Sequence, residues 1–128
     1  MHYALSGETA VKEWQSLLPS GGVTVRLGSS FRPFTVSVFH QLRCLDVVRD
    51  AMVEYRANGM APSAKARHCL NYLRQMTLCR ANTRLENVRD SSEYRHKVTV
   101  SEVTYTCRDW SAVIEAAEDN WKTYVAAK

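Results

Sequence analysis

The spacing of apolar residues along the chain predicts helices over most of its length. In four segments apolar side chains recur every three or four residues, as they do on one face of an α-helix. Pro19 and Gly21-Gly22 end the first segment, and Asn58-Gly59 ends the second after about five turns. The predicted inward faces are Val11, Trp14, Leu17 and Leu18; Val38, Leu42, Leu45, Val48, Met52 and Tyr55; Ala66, Cys69, Leu70, Leu73 and Met76; and Trp110, Val113, Ile114, Ala117 and Trp121.

Two polar residues are placed to start the last two helices. Ser63 follows Pro62 and is a predicted N-cap for a helix that continues to Arg80. Asp109 is the predicted N-cap of the C-terminal helix, and this capping role is a simpler interpretation of its carboxylate than acid catalysis.

Short alternating runs predict a small amount of β-structure. The run Val23, Val25, Leu27 predicts a strand, and the polar stretch 86–94 is predicted to be a loop. A later run is expected to form a strand or short hairpin that pairs with residues 23–27; it contains Val98, Val100, Val103 and Tyr105. We therefore predict a mainly α fold, a small helical bundle with a minor β-hairpin or short sheet.

Length, composition and charge narrow the class of protein. The chain has 128 residues, of which 45% are hydrophobic, so we expect one domain over residues 1–128 with its own core. The net charge of +4 arises from cations scattered among 13 acidic residues rather than from a basic arm, and we expect no nucleic-acid partner. Apolar runs are only a few residues long, and the N-terminus has no signal-peptide core.

The four cysteines raise the question of disulfides, which persist in oxidising compartments. If residues 63–80 form one helix, Cys69 and Cys79 lie about 15 Å apart along its axis, beyond the roughly 7 Å that a disulfide allows between Cα atoms. We predict pairing across helices, Cys44 with Cys69 and Cys79 with Cys107. Free, buried thiols are the alternative. Paired cysteines would indicate a secretory-pathway lumen, and free ones the cytoplasm.

Two short motifs carry most of the functional information, His40-Gln41-Leu42-Arg43-Cys44 and Lys65-Ala66-Arg67-His68-Cys69. They resemble the paired His-x-x-His-Cys motifs of the UstYa-like family, fungal proteins that tailor natural products. Each motif here keeps one histidine and has a cation, Arg43 or Lys65, in place of the other. Further blocks that resemble the family are Trp14 to Pro19 with Gly21-Gly22-Val23, Cys79 to Glu86, and Cys107-Arg108-Asp109-Trp110.

The resemblance implies oxidative tailoring chemistry at copper held by histidines. Copper chemistry needs two or three converging imidazoles. Here the motifs supply only His40 and His68, and Arg43 and Lys65 would repel a cation. His2 and His96 lie outside the motifs, while Asn82 and Tyr105 replace an aspartate and a histidine of the family pattern. We therefore expect no cofactor, and copper bound by His40 and His68 is the alternative.

Helical spacing places the motif side chains on common faces. Lys65, His68 and Tyr72 recur at steps of three and four residues, a stripe that Gln75 and Cys79 continue. Antiparallel packing of the two motif helices would bring His40, Arg43, Lys65 and His68 around one cationic cleft. Imidazoles exchange protons near neutral pH, and cations stabilise a developing enolate or alkoxide. The expected roles are acid/base catalysis for His40 and His68, charge stabilisation for Arg43 and Lys65, and positioning for Tyr72 and Asn82.

This assignment predicts a redox-neutral cyclisation, which can be pericyclic, or a dehydration or rearrangement of a small-molecule or peptide-derived intermediate. Structural explanations exist for the same residues: a hydrogen-bonded surface histidine, a solvated cation, a half-buried tyrosine, and core positions for Trp110 and Trp121. A non-catalytic partner subunit, acting as a homodimer or with a related family member, is the third hypothesis. Many relatives begin with a membrane anchor, so membrane association is expected only if such an anchor has been removed.

Overall fold

The computed structural model describes residues 3–83, 88–90, 97–99 and 106–128. Within these residues the chain forms four helices and two antiparallel two-stranded sheets, so the predicted mainly α fold is confirmed. The elements are, in chain order, α1 (Glu8–Gln15), β1 (Thr24–Leu27), β2 (Arg32–Thr35), α2 (Ser37–Asn58), α3 (Ala64–Arg80), β3 (Val88–Asp90), β4 (Lys97–Thr99) and α4 (Trp110–Ala126).

Helices α2 and α3, which carry the two motifs, begin and end where local signals predict. The Ser63 Oγ accepts a hydrogen bond from the Ala66 N–H at 3.1 Å and caps α3. Gly59 ends α2 in the left-handed conformation, with φ 66°, and its N–H donates to the Tyr55 carbonyl at 2.8 Å. Asp109 caps α4 as predicted, accepting from the Ser111 and Ala112 N–H groups.

The predicted partner of the first strand was wrong. Strand β1 pairs with β2, with Thr24 opposite Thr35 and Leu27 opposite Arg32, and β4 pairs with β3. Strand β2 could not be predicted from alternating apolar and polar residues, because it contains Pro33 and all four of its residues are exposed. Strand β3 lies within the predicted loop 86–94, and Val100, Val103 and Tyr105 lie outside the described residues.

The β1–β2 hairpin is fixed to α4 through one amide side chain. The Asn120 Nδ2 donates to the Arg26 carbonyl, and the Arg26 N–H donates to the Asn120 Oδ1, both at 2.7 Å. Gly21 lies against Trp121, where a Cβ would come within 3.0 Å of the indole ring. A second ring contact, Phe39 edge-on to Trp110 at 5.5 Å between centroids, joins α2 to the start of α4.

The inward face predicted for α2 was only partly correct. Leu45, Met52 and Tyr55 are exposed, whereas the buried residues of this helix are Phe39, Cys44, Asp46 and Arg49. Several neighbours contact α2 from different sides: α3 near Cys44, Trp110 at Phe39, and the N-terminal segment at Arg49. A helix packed on several sides has no single apolar stripe, so periodicity could not locate its core positions.

The faces of α3 and α4 follow the prediction more closely, whereas the face predicted for α1 was wrong at Val11, which is 41% exposed. Ala66 and Cys69 are buried in α3, although Leu70 is exposed, and Ala117 is buried in α4. Leu17 and Leu18 lie in turns beyond the end of α1. Within α1 the buried residue is Ala10. Among the parts of the chain that the structure describes, no helix combines the length and hydropathy that a membrane span requires.

Candidate functional site

The two motif helices meet at a pair of cysteines. Cys44 is fully buried and Cys69 is 4% exposed, and their side chains are neighbours across the interface. Burial, followed by the contact with Cys69, raises the pKa of the Cys44 thiol to about 12, and the nearby Lys65 ammonium opposes this shift. Both side chains are thiols in the structure, as are those of the exposed Cys79 and Cys107, so the disulfide pairings stay predictions.

One helical turn along α2 from Cys44, His40 packs against Tyr72 of α3. The two rings are stacked, with centroids 4.2 Å apart and planes at 25°. As α2 advances from His40 to Cys44, its contacts on α3 move back from Tyr72 to Cys69, so the helices run antiparallel. The packing expected from the sequence is therefore present, and Tyr72 fixes the plane of the His40 imidazole.

His68 and Lys65 lie on the same stripe of α3 as Tyr72. His68 precedes Tyr72 by four residues and Lys65 precedes His68 by three, which are the spacings of neighbours on a helical face. Both side chains belong to exposed residues, whereas Tyr72 and His40 are half-buried. His40 therefore contacts Tyr72 across the helix pair, and His68 lies one helical turn before Tyr72 on α3.

Arg43 has a partner that the analysis of motifs missed. Its Nη1 donates to the Asp46 Oδ2 at 3.0 Å, while Arg49 donates to the Asp46 Oδ1 from Nε at 2.9 Å and from Nη2 at 2.8 Å. The Arg49 side chain is 7% exposed and that of Asp46 12%, whereas that of Arg43 is 43% exposed. Asp46 offsets part of the Arg43 charge, which weakens the expected role of Arg43 as a free electrostatic stabiliser.

This ion-pair cluster has a structural explanation and a sequence signal. Arg49 Nη1 also donates to the Leu5 carbonyl at 2.9 Å, and its guanidinium lies 6.0 Å from the centre of a Trp14 ring. The cluster thus joins α2 to the N-terminal segment. The spacing Arg43-x-x-Asp46-x-x-Arg49 places one negative charge between two positive charges on one helical face and could have revealed the cluster.

Asn82 lies away from the rings of the site. It follows Ala81, which ends α3 in the left-handed conformation with φ 41°, and its side chain is exposed. From Tyr72 to the end of α3 at Arg80 the helix rises about 12 Å. The structure therefore brings His40 and Tyr72 into contact across the α2–α3 interface, places Lys65 and His68 on the same stripe of α3 as Tyr72, and places Asn82 beyond the end of that helix.

The residues of this site do not make a complete copper centre. Among residues 3–83, 88–90, 97–99 and 106–128, no group of three or more His, Cys, Asp or Glu side chains is placed to hold a metal ion. Arg43 and Lys65 occupy the two positions that the family motifs give to histidine. His2 and His96 lie outside the described residues.

Comparison with known sequences agrees with the motif pattern. A family model described as "Mycotoxin biosynthesis protein UstYa" matches residues 24–122, from β1 into α4. The chain belongs to the UstYa family. The match spans both motif helices, so the His40–Tyr72 and Cys44–Cys69 contacts lie inside the UstYa region of the chain.

Individual UstYa relatives are named as oxidases. "Oxidase ustYa" of Aspergillus flavus is 36% identical over 87 residues, which are 66% of this chain and 40% of that protein. "UstYa family oxidase phomYe" of Diaporthe leptostromiformis is 29% identical over 101 residues, covering 72% of this chain and 35% of its own length. The same organism's "UstYa family oxidase phomYb" is 25% identical over 130 residues, covering 89% of this chain and 51% of its own length.

The chain thus spans between about a third and a half of the length of these relatives. No solved structure matches the chain.

Proposed function

We propose that the protein is a natural-product tailoring enzyme that catalyses a redox-neutral step on a small-molecule or peptide-derived intermediate. Membership of the UstYa family, whose description refers to mycotoxin biosynthesis, supports the tailoring role. The observation that carries the redox-neutral assignment is the stacking of His40 on Tyr72, with His68 and Lys65 on the same stripe of α3 as Tyr72. Two imidazoles and an ammonium group suit proton transfer and charge stabilisation.

A dehydration illustrates how these groups would act. One imidazole takes a proton from the carbon next to a substrate carbonyl, and the Lys65 ammonium stabilises the enolate oxygen that forms. The second imidazole, in its protonated form, gives its proton to the departing hydroxyl, which leaves as water. One imidazole gains a proton and the other loses one, so exchange with solvent restores both without any oxidant. In a cyclisation, the enolate carbon forms a bond to a second carbonyl carbon of the same molecule, and the second imidazole protonates the oxygen of that carbonyl, so that the product is an isomer of the substrate.

The four residues would divide these tasks according to their position. His40, half-buried and oriented by Tyr72, has the more fixed imidazole, and His68 is the more exposed one. Tyr72 is a positioning residue, because its contact is with His40. Lys65 supplies the charge, since the Arg43 guanidinium is engaged by Asp46 at 3.0 Å. Asn82 retains a proposed role only in holding a substrate that extends past the end of α3.

Copper-dependent oxidation is the second candidate, and the names of the relatives favour it. Three relatives are called oxidases, although each is matched over 51% of its length or less. In that case further ligands would have to join His40 and His68. A non-catalytic subunit that pairs with an active family member is a third possibility, and it predicts no turnover by the purified protein alone.

The elemental composition of substrate and product separates these candidates. Disruption of the gene in its producing organism should cause an intermediate to accumulate, and the purified protein should then convert it. We expect a product that is an isomer of the intermediate or lacks one water. Loss of a hydrogen pair or gain of oxygen would instead establish oxidation, and conversion only with a second family member added would establish the subunit role.

The histidines provide the internal test of the same assay. Replacement of both His40 and His68 by Gln should reduce turnover by at least about a hundredfold, the usual contribution of acid/base groups. Gln75→Ala is the matched control, because Gln75 lies on the same stripe of α3 and has no assigned role. Undiminished turnover in the double variant would refute the acid/base assignment.

A further inference from the structure

The two cysteines that end the motifs lie opposite each other in the α2–α3 interface. Cys44 is fully buried, Cys69 is 4% exposed, and their side chains are neighbours. The aromatic contact gives the same register, since His40 of α2 stacks on Tyr72 of α3. From that contact, four residues forward along α2 and three residues back along α3 lead to Cys44 and Cys69, which are rises of about 6 and 4.5 Å. The antiparallel packing therefore brings the two sulfur atoms to one place.

The usual spacing of packed helices permits a bond between facing cysteines. Helix axes in contact lie about 8–10 Å apart, and each Cα lies about 2.3 Å from its own axis, so facing Cα atoms are about 3.4–5.4 Å apart. A disulfide joins Cα atoms that are about 4.4–6.8 Å apart, and the two ranges overlap. Ala66, which is also buried and lies one turn before Cys69, is small enough to allow close approach of the helices.

A covalent link would add stability where the hydrophobic core is small. Within the described residues, the buried apolar side chains are mostly small ones: Ala10, Phe39, Cys44, Ala66, Cys69 and Ala117. Large apolar residues of the same two helices, such as Leu45 and Leu70, are exposed. Domains with a limited core commonly rely on disulfides. This balance favours a bond between the two cysteines over two free thiols that only fill space.

We propose that Cys44 and Cys69 form a disulfide bond that joins α2 to α3 and fixes the register of the two motifs. The oxidant is a disulfide such as oxidised glutathione. The thiolate of one cysteine attacks one sulfur of the oxidant and releases one thiol, and the second cysteine then attacks the mixed disulfide and releases the other. The two cysteines lose two protons and two electrons in total, and the oxidant takes up both as it becomes two thiols.

Burial determines when this bond can form and how well it persists. Only a thiolate attacks a disulfide, and burial raises the pKa of the Cys44 thiol. The bond should therefore form while the chain folds and both sulfur atoms are accessible. Afterwards the same burial shields it from reductants in solution, which is a protection that the exposed Cys79 and Cys107 lack. The bond requires no catalytic role of His40.

Tryptic mapping of the full chain tests the pairing directly, because cleavage after arginine and lysine places the four cysteines in four different peptides. These are residues 44–49, 68–74, 75–80 and 98–108. The reduced, denatured protein is refolded with reduced and oxidised glutathione at a ratio of about ten to one, quenched with acid and alkylated in denaturant. We expect the peptide 44–49 linked to 68–74, with two hydrogens fewer than the two free peptides together.

The unfolding equilibrium tests whether the bond fixes the packing. The Cys79→Ser and Cys107→Ser double variant is the background, because both replaced cysteines are exposed and only the buried pair can then be oxidised. A disulfide that closes a loop of about 25 residues should lower the equilibrium constant for unfolding by about a hundredfold or more. Urea unfolding of this variant, oxidised or kept reduced with a phosphine, should show that difference. Adding Cys44→Ala should abolish it.

Three results would overturn this inference. The first is recovery of residues 44–49 and 68–74 as separate peptides after refolding, which would show that Cys44 and Cys69 are buried free thiols. The second is a link from either of them to Cys79 or Cys107 in place of the expected one. The third is equal unfolding of the oxidised and the reduced double variant, since a bond that fixes the helix register must stabilise the folded state.

Discussion

The thiol of Cys44 is fully buried beside that of Cys69, across the interface of the two motif helices. These cysteines end the two motifs, so the same contact that packs α2 on α3 also fixes the register of the catalytic candidates. Cys44 lies beside Cys69, and His40, one helical turn before Cys44 on α2, stacks on Tyr72. A shift of one helical turn would separate both pairs.

The burial of this pair predicts unequal thiol reactivity. At pH 8 a thiol with a pKa of about 12 is ionised in about one molecule in ten thousand, and only the thiolate reacts quickly. The reduced native protein should therefore show two fast thiols towards Ellman's reagent, the exposed Cys79 and Cys107, and two that react only on unfolding. Cys79→Ser and Cys107→Ser should each remove one fast thiol. Fast reaction of Cys44 would contradict the packing.

The same thiol predicts a loss of stability at alkaline pH. The pKa of Cys44 rises from an ordinary 9.0 to about 12 on folding, so the folded state favours the protonated form. The stabilisation that Cys44 gives the folded state is complete below pH 9, where the thiol is protonated in both the folded and the unfolded state. It is lost as the pH rises from about 9 to 12, because the unfolded chain then releases the thiol proton. Urea unfolding at a series of pH values should show a steeper decline between pH 9 and 11 in the wild type than in Cys44→Ala. Equal slopes would argue against the raised pKa.

Asp46 should be the most sensitive polar position in the protein's α2 helix. Asp46→Asn removes the nearer counter-charge of Arg49, whose side chain is only 7% exposed, and leaves it only the exposed Asp50 carboxylate at 3.5 Å. The loss of one partner from a buried pair costs up to about 3–5 kcal/mol. Arg43→Gln removes the more exposed partner of the same carboxylate and should cost about 1 kcal/mol or less. Denaturant unfolding of the two variants provides the comparison. Similar losses in both would show that the cluster is solvated.

The sequence predicts some features of the fold and not others, such as the burial of Asp46 and Arg49 in α2. The helix boundaries near Gly59, Ser63 and Asp109 could be predicted, because capping depends on one or two local residues. The antiparallel pairing of α2 and α3 could be anticipated from the motifs.

The buried face of α2 could not be predicted, because several different neighbours contact it. The partners of β1 and β4 depend on strands that alternation does not reveal, since β2 contains Pro33 and is exposed throughout.

Tyr72 is expected to act by holding His40. Tyr72→Phe keeps the stacked ring, whereas Tyr72→Leu removes it and releases the imidazole. The substrate for this test is the intermediate that accumulates when the gene is disrupted. The Tyr72→Phe variant should retain kcat within about threefold, and the Tyr72→Leu variant should lower kcat about tenfold or more with little change in KM. The pH profile of kcat should shift in the Leu variant alone, because only this variant releases the imidazole that transfers protons. A purely structural role of Tyr72 would leave the profile unchanged. Equal activity of the two variants would remove Tyr72 from the site.

The cations in the two motifs predict how copper affinity could be gained. Arg43→His and Lys65→His together would complete both His-x-x-His-Cys motifs on the adjoining helices, with four imidazoles in place of two imidazoles and two cations. Copper favours imidazole ligands, and removal of two positive charges lowers the repulsion of the ion. Both replaced side chains are at least partly exposed, and Arg43 contributes one ion pair, to an Asp46 carboxylate that Arg49 also binds, so the variant should fold.

Calorimetric titration with Cu²⁺ against a competing chelator should show at least about tenfold tighter binding in the double variant than in the wild type, with the single variants between them. His40→Gln in the double variant is the control, and it should reverse most of the gain. Equal affinity in all of these proteins would show that the side chains do not converge and that copper, if it binds, does so elsewhere. Tight stoichiometric copper already in the wild type would return oxidation to first place among the candidate functions, since ligands beyond His40 and His68 would then be present.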